Sequence, residues 1–472
     1  MMILGVSGCS LAPEYRQPDL PVPAHLGTLN PAGSGIADSA AHETSVDALS
    51  AQESQFLREF SPHYDLSALV DRALQPNRDL RLAALRVEEA RAMYRIQKAD
   101  EWPSVTVGVL QDRAQINNAT ENARYGDDLS LAGVGVSNYE LDFFDRVRSL
   151  SESAKHEYLA TTYARQTGRA ALIAEVARIY AAERAVAETQ NTLQEVYCAE
   201  LEILKVLQHE ELIGATSGQD VRSQRNATEH ARLKWQQSQV EHVQLRHALQ
   251  LITGYAADYL QPSGTVADLA GSSSEAAAWF ANEPSEVLRQ RPDIRQAEER
   301  LRAANASIGA ARAAFFPSIQ LSTAVGVASP SLRGLFDAGT GAWLFTPQVT
   351  LPIFSGGRLR ANLDLAQVRE HIAVAEYEKA VQSAFREVAD ALVARDQLVD
   401  QLLTEQSLLE TGRQQARQAA TRLDAGWSDR PTVLVAQIRL AQMNLDCIQV
   451  RQAMAINRLD LYRAFYGVHP AH

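Results

Sequence analysis

Arg291-Pro292-Asp293-Ile294-Arg295-Gln296-Ala297 repeats the pattern of Asn77-Arg78-Asp79-Leu80-Arg81-Leu82-Ala83, and Phe315-Phe316-Pro317-Ser318-Ile319 repeats that of Glu101-Trp102-Pro103-Ser104-Val105. Both matches stand at one offset, Asp79 to Asp293 and Pro103 to Pro317, which is 214 residues. Leu141-Asp142-Phe143-Phe144 matches Leu351-Pro352-Ile353-Phe354 at 210, and Glu175-Val176-Ala177 matches Glu387-Val388-Ala389 at 212. Small insertions account for the drift. Self-similarity sustained over such a length marks a tandem duplication.

Each copy predicts the same elements. A helix runs into Pro103 or Pro317, which cannot continue it. A strand follows, with Val105, Val107 and Val109 alternating in copy one and Ile319, Leu321 and Thr323 in copy two. After a polar or glycine-rich loop (Gln111 to Asp128; Ala328 to Gly341) a second strand returns, so the hairpins span 104–141 and 318–354. Each hairpin leads at once into a proline-free helix, 146–211 and 358–423, about 100 Å long at 1.5 Å per residue. A break follows, and return helices run over 219–254 and 431–466. Leu434, Ile438, Ala441, Leu445, Ile448, Gln452, Ala455, Leu459 and Tyr462 alternate spacings of four and three, and Phe385, Val388, Leu392, Val399 and Leu402 fit the same period. That is coiled-coil spacing. The fold class is mainly α with a small β part, in which long antiparallel helices carry two hairpins.

Copy one occupies 63–261 and copy two 285–466, with an inter-copy segment at 262–284 and a tail at 467–472. Ahead of them, residues 10–62 read as a tether. It is proline-rich from Ala12 to Pro23 and Gly/Ser/Ala-rich from Asn30 to Ser54. Within residues 1–9, Val6-Ser7-Gly8-Cys9 has the form of a bacterial lipobox, which makes Cys9 the expected lipidation site. Met1 to Gly5 carry no positive charge and are too short for a signal peptide, which suggests a true start further upstream.

The chain has 472 residues, of which 46% are hydrophobic, 22% charged and only 7% aromatic. Such a balance, with much of the apolar share in alanine, suits long packed helices. A net charge of −12 argues against general nucleic-acid binding, which requires a basic face. No run of about 20 apolar residues is present, so no transmembrane helix is expected. A β-barrel wall remains open, because it needs only about 10 alternating residues per strand. Four strands cannot enclose an interior, and an open sheet leaves edges unpaired. In lipid each bare backbone group costs several kcal/mol. Several chains pooling their strands would remove every edge.

Three further runs are specific: Arg291 to Glu298 with Ile308-Gly309-Ala310-Ala311-Arg312-Ala313-Ala314-Phe315-Phe316-Pro317-Ser318; Glu140-Leu141-Asp142-Phe143-Phe144-Asp145-Arg146; and Pro352-Ile353-Phe354-Ser355-Gly356-Gly357-Arg358. Together with the Cys9 leader they closely resemble the TolC/OprM/NodT family of outer membrane factors over nearly the whole chain. Asp145 departs from the pattern, because a glycine is common there, and a blunter strand-to-helix corner is expected in copy one. The resemblance implies a homotrimer with a 12-stranded barrel in the outer membrane and a helical tunnel across the periplasm. The inter-copy segment and both termini would form a belt around it. It also implies a lipid (palmitate) on Cys9, a periplasmic adaptor and an inner-membrane pump of the resistance-nodulation-division type. No enzymatic activity and no cofactor beyond that lipid are expected. A periplasmic coiled-coil scaffold without a barrel is the rival reading, and a duct for heavy metals or polypeptides is a variant of the first.

In that family the tunnel closes at its periplasmic tip through ionic and hydrogen-bond links. The candidates here are Arg422, Asp424, Asp429 and Arg430 in the second helix break and Glu210, Glu211 and Asp220 in the first. Threefold symmetry would turn each lumen-facing acid into three like charges unless arginines pair with them. The alternative reading makes them solvated loop charges, with Asp220 in a helical first turn. The 11 histidines are scattered, and His242 and His247 do not share a helix face, so no metal site is expected. Cys198 and Cys447 are read as small core residues.

Overall fold

The structure, a computed structural model, describes residues 49–62, 65–75, 77–112, 129–253, 264–271 and 285–466. Two short helices, α1 (Ala51–Phe60) and α2 (Asp65–Leu74), precede the first copy. Copy one then supplies α3 (Arg78–Ala99), β1 (Val105–Asp112), β2 (Leu129–Leu141), α4 (Arg146–Leu212) and α5 (Gly218–Thr253). A five-residue helix, α6 (Val266–Ala270), separates the copies. Copy two supplies α7 (Pro292–Ala313), β3 (Ser318–Ser329), β4 (Gly341–Thr350), α8 (Arg358–Asp424) and α9 (Arg430–Ala464). The duplication survives in the lengths: α3 and α7 have 22 residues each, and α4 and α8 have 67 each.

The helices form one layer. In its upper half the neighbours run α3-α4-α7-α8. In its lower half they run α5-α4-α9-α8. The two long helices therefore span both levels, with α7 and α9 between them and α3 and α5 on the other side of α4. The coiled-coil row of α9 packs against α4 of the other copy: Leu434 lies on Ala199 and Ile203, and Ile448 on Ala185. Phe385 on α8 is exposed despite fitting the period, because among the described residues no helix packs on that side of α8. Cys447 is buried, but Cys198 is exposed on α4 and is not a core residue. Above the helices lies one antiparallel sheet in the order β1-β2-β3-β4, so the two hairpins join through β2 and β3. The last strand ends at Thr350, short of the expected Phe354, because Pro352 has no N–H to continue the ladder.

The corner into α4 is not blunted. Asp145 takes the left-handed backbone (φ 57°) that Gly357 takes before α8 (φ 86°). Aspartate tolerates that region. The Asp142 carboxylate also caps the new helix by accepting from the Arg146 and Arg148 N–H groups at 2.6 and 2.8 Å. Copy two has Pro352 in the corresponding place and lacks this cap.

The largest core sits at mid-height, where α1, α2 and α6 wrap α4 and α9 as a belt. Leu57, Phe60, Leu66, Val70, Ile173, Tyr180 and Leu459 are all fully buried there. Residues 51–60, expected in the tether, are helical, and Ser50 with Glu53 starts that helix as a capping box. Buried polar groups fasten the belt. Arg291 donates to Asp293, to Glu387 on α8 and to the Ala464 carbonyl that ends α9. Arg458 on α9 donates to the carbonyls of Leu269 and Glu59. Glu53 accepts from Arg169 on α4 through both oxygens at 2.8 Å, and from the Tyr466 hydroxyl. Burial opposes ionisation of Glu53, but these hydrogen bonds outweigh it and hold its pKa at about 2 rather than 4.5. A depressed carboxylate stabilises the fold above its unfolded pKa and loses that contribution as pH falls through the folded one. The shift corresponds to roughly 3 kcal/mol. Glu53→Gln is therefore expected to lower the melting temperature at pH 7 and to flatten the loss of stability between pH 4.5 and 2, as read by thermal unfolding across that range.

Candidate functional site

The sheet has two unlike faces. Its register aligns Val107, Val134, Val325 and Trp343 in one row across all four strands, and Val105, Val136, Thr323 and Phe345 in the next. The first row is exposed throughout, with Val107 at 81% and Trp343 at 79%. The opposite face carries mostly small residues, in rows such as Thr106, Gly135, Ala324, Leu344 and Gly108, Gly133, Gly326, Ala342. A water-soluble sheet would cover its valine-and-aromatic face with helices, and among the described residues none packs there. Among the described residues β1 and β4 each pair on one side only. Pro347 is tolerated in β4 because that strand is an edge.

The helical layer is open on the same two sides. On the β1 side, α3 exposes Leu82, Leu85, Met93 and Ile96, and α5 exposes Leu233, Val240, Val243 and Leu251. On the β4 side, α8 exposes Leu365, Val368 and Ile372 high up and Phe385, Val393 and Leu403 lower down. These stripes recur at helical spacing, as a helix facing another helix requires. The two open sides are thus apolar over the length of the molecule and bounded above by unpaired strands.

At the far end α4 and α8 turn back through identical six-to-one motifs. Gly214 and Gly426 take φ of 75° and 74°, the Ala215 N–H donates to the Glu210 carbonyl, and the Trp427 N–H donates to the Arg422 carbonyl, both at 2.8 Å. Among the gate candidates, Asp429 caps α9 by accepting from the Thr432 N–H at 2.9 Å. Asp220 accepts from the Ser217 hydroxyl at 2.7 Å in the first turn of α5. These bonds lower both carboxyls below their ordinary range. Arg430 is different, because it reaches Glu202 on α4 at 2.8 Å and ties the two hairpins together. Glu202 is lowered and Arg430 raised by that pairing. Glu211 lies against Gly218 beside Arg222. Arg422, Asp424, Glu210 and Glu211 are not brought to Arg430 by any ion pair among the described residues. Sequence reasoning missed Glu202, which sits inside an unbroken helix with nothing to single it out. It also missed Trp427, exposed at the second tip.

His242 bridges Glu183 and Gln190 at 3.0 Å, and so packs within the helical layer. Among the described residues no group of three His, Cys, Asp or Glu side chains is placed to hold a metal. No described helix is long and apolar enough to cross a membrane. Cys9 lies outside the described residues.

Residues 69–255 and 284–465, the two copies, match the family model for outer membrane efflux proteins. The toluene efflux pump outer membrane protein TtgC of Pseudomonas putida is 38% identical over 98% of this chain and 93% of its own. The cation efflux system protein CusC of Escherichia coli is 34% identical over 98% and 96%. The open state of the Neisseria gonorrhoeae MtrE outer membrane channel superimposes with a TM-score of 0.74 at 32% identity, covering 97% of this chain and 98% of that one.

Two complementary open sides predict self-association. Glutamates at Val368 and Ile372 would place charge in the centre of one side, and sedimentation should then find monomers of unchanged helix content where the parent protein forms oligomers.

Proposed function

Because the chain belongs to the outer membrane efflux protein family, we propose that it is one protomer of a trimeric exit duct, lipid-anchored through Cys9, that conducts small molecules outward. The observation that carries the reading is the exposed valine-and-aromatic face of a sheet with both edges open. Such a face suits hydrocarbon, and open edges do not. Barrel size supports the number three. About eight strands, two chains' worth, give an interior that side chains fill. Three chains of four strands make a wider barrel, since diameter grows with strand number. The same closure joins α8 of one protomer to α3 and α5 of the next and continues the lumen through the helical layer.

A duct of this kind does no chemistry. Its cargo is handed over by an inner-membrane pump of the resistance-nodulation-division type through a periplasmic adaptor, and transport through it is passive. The tips close it. Arg430 and Glu202 hold the second hairpin against the first, whereas Asp429 and Asp220 shape the helix starts. Replacing Arg430→Glu sets two carboxylates against each other and is expected to raise single-channel conductance severalfold in planar bilayers. Asp429→Asn, which keeps a capping oxygen, should conduct like the parent channel. Unchanged conductance in Arg430→Glu removes that pair from the gate.

A further inference from the structure

Just below the strands, α3, β2 and α4 enclose an open cleft of about 370 Å³. Tyr94, Lys98 and Glu101 line it from the end of α3, Tyr139 from β2, and Arg148, Glu152 and Lys155 from α4. Two nearby acids are already committed: Glu140 to Arg146, and Asp142 to the N–H groups that start α4. The other charges are held weakly or not at all. Among the described residues Lys98 and Lys155 make no ion pair, and Lys98 lies only over the Tyr94 ring, at 5.7 Å. Arg148 is held loosely, 3.9 Å from both Asp145 and Glu152. The cleft therefore presents two unpaired lysines beside acids whose only cationic partner, Arg148, stands at the outer limit of ion-pair distance.

Two independent geometries place its mouth on the outside of the duct. Ser151 and Lys155 precede Arg169 and Ile173 by eighteen residues, which is five whole helical turns, so each pair shares a face of α4. Arg169 and Ile173 carry the belt, and belt helices inside the tunnel would plug it. In the sheet, Tyr139 pairs with Leu321 and Leu321 with Pro347. Strand alternation then sets Tyr139 on the side of Phe345 and Trp343, the face proposed to meet hydrocarbon. Trp102 and Phe143, next in sequence to the cleft residues Glu101 and Asp142, are exposed, as aromatic residues of a belt at the membrane surface would be.

We infer that this cleft binds the headgroup of a phosphatidylethanolamine molecule from the periplasm-facing leaflet. Lys98, Lys155 and Arg148 receive the phosphate, Glu101 and Glu152 accept from the primary ammonium, and the acyl chains lie along the valine face above. The chemistry selects the lipid. A phosphatidylglycerol offers no cation to the carboxylates, and the quaternary ammonium of a phosphatidylcholine has no N–H to donate.

The inference rests on the strands being the membrane-spanning part, and the test separates the two. The full-length protein is placed in a mixture of equal parts phosphatidylethanolamine, phosphatidylglycerol and phosphatidylcholine, and the lipids retained are weighed by native mass spectrometry. Channel conductance is recorded in parallel. Phosphatidylethanolamine should dominate the parent protein's adducts. The double variant Lys98→Ala, Lys155→Ala should lose them about tenfold, as expected for roughly 1.4 kcal/mol of charge-assisted bonding. Glu101→Gln with Glu152→Gln should shift retention toward phosphatidylglycerol. A conducting channel with the same lipid pattern in parent and variants overturns the headgroup site alone, whereas absence of conductance from the parent overturns the duct on which it rests.

Discussion

Unpaired backbone at the two edges of a four-stranded sheet is the constraint from which the rest of the architecture follows. In water β1 and β4 could bond to solvent. Against hydrocarbon each bare group costs several kcal/mol, so the apolar face and the open edges cannot both be satisfied by one chain. Closure by further copies satisfies both, and it dictates the helical layer below. The helix beneath each edge strand carries an unpartnered apolar stripe, because it continues the same interface downward: α3 under β1, α8 under β4.

The duplication makes that layer economical. One pattern of short, long and return helix is used twice, and the long helices alone pass through both levels. The copies differ where the structure needs asymmetry. Asn77 caps α3 by accepting from two backbone N–H groups, while Arg291 at the matching position reaches across to α8 and to the end of α9. In copy two that residue ties the start of α7 to α8 and to the end of α9. Asp145 and Gly357 show the converse: different residues in one backbone conformation, the aspartate supported by a cap that the glycine does without.

Much of this was legible in the residues. The offset of Asp79 and Asp293 fixed the duplication, Pro103 and Pro317 the helix-to-strand switches, and proline-free stretches the two long helices. Three things were hidden. The capping box at Ser50 and Glu53 lies in a Ser/Ala-rich run whose composition reads as a tether, and its helix is held by Arg169, 116 residues away. The row of Phe385 and Val388 gives a period but not a partner, so it could not show that Phe385 faces outward from an open side. At the tip, charge alone could not separate Arg430, which bridges two hairpins, from Asp429, which caps its own helix. Local spacing encodes elements, and long-range pairing decides which charges work between them.

Amide hydrogen exchange on the protein reconstituted in a lipid bilayer addresses edge closure most directly. If β1 and β4 pair with neighbouring copies, their amides should be protected as strongly as those of β2 and β3, whose partners lie within the chain. Fast exchange at alternate amides along β1 and β4, with slow exchange confined to the bonds inside the four-stranded sheet, would contradict closure and with it the duct.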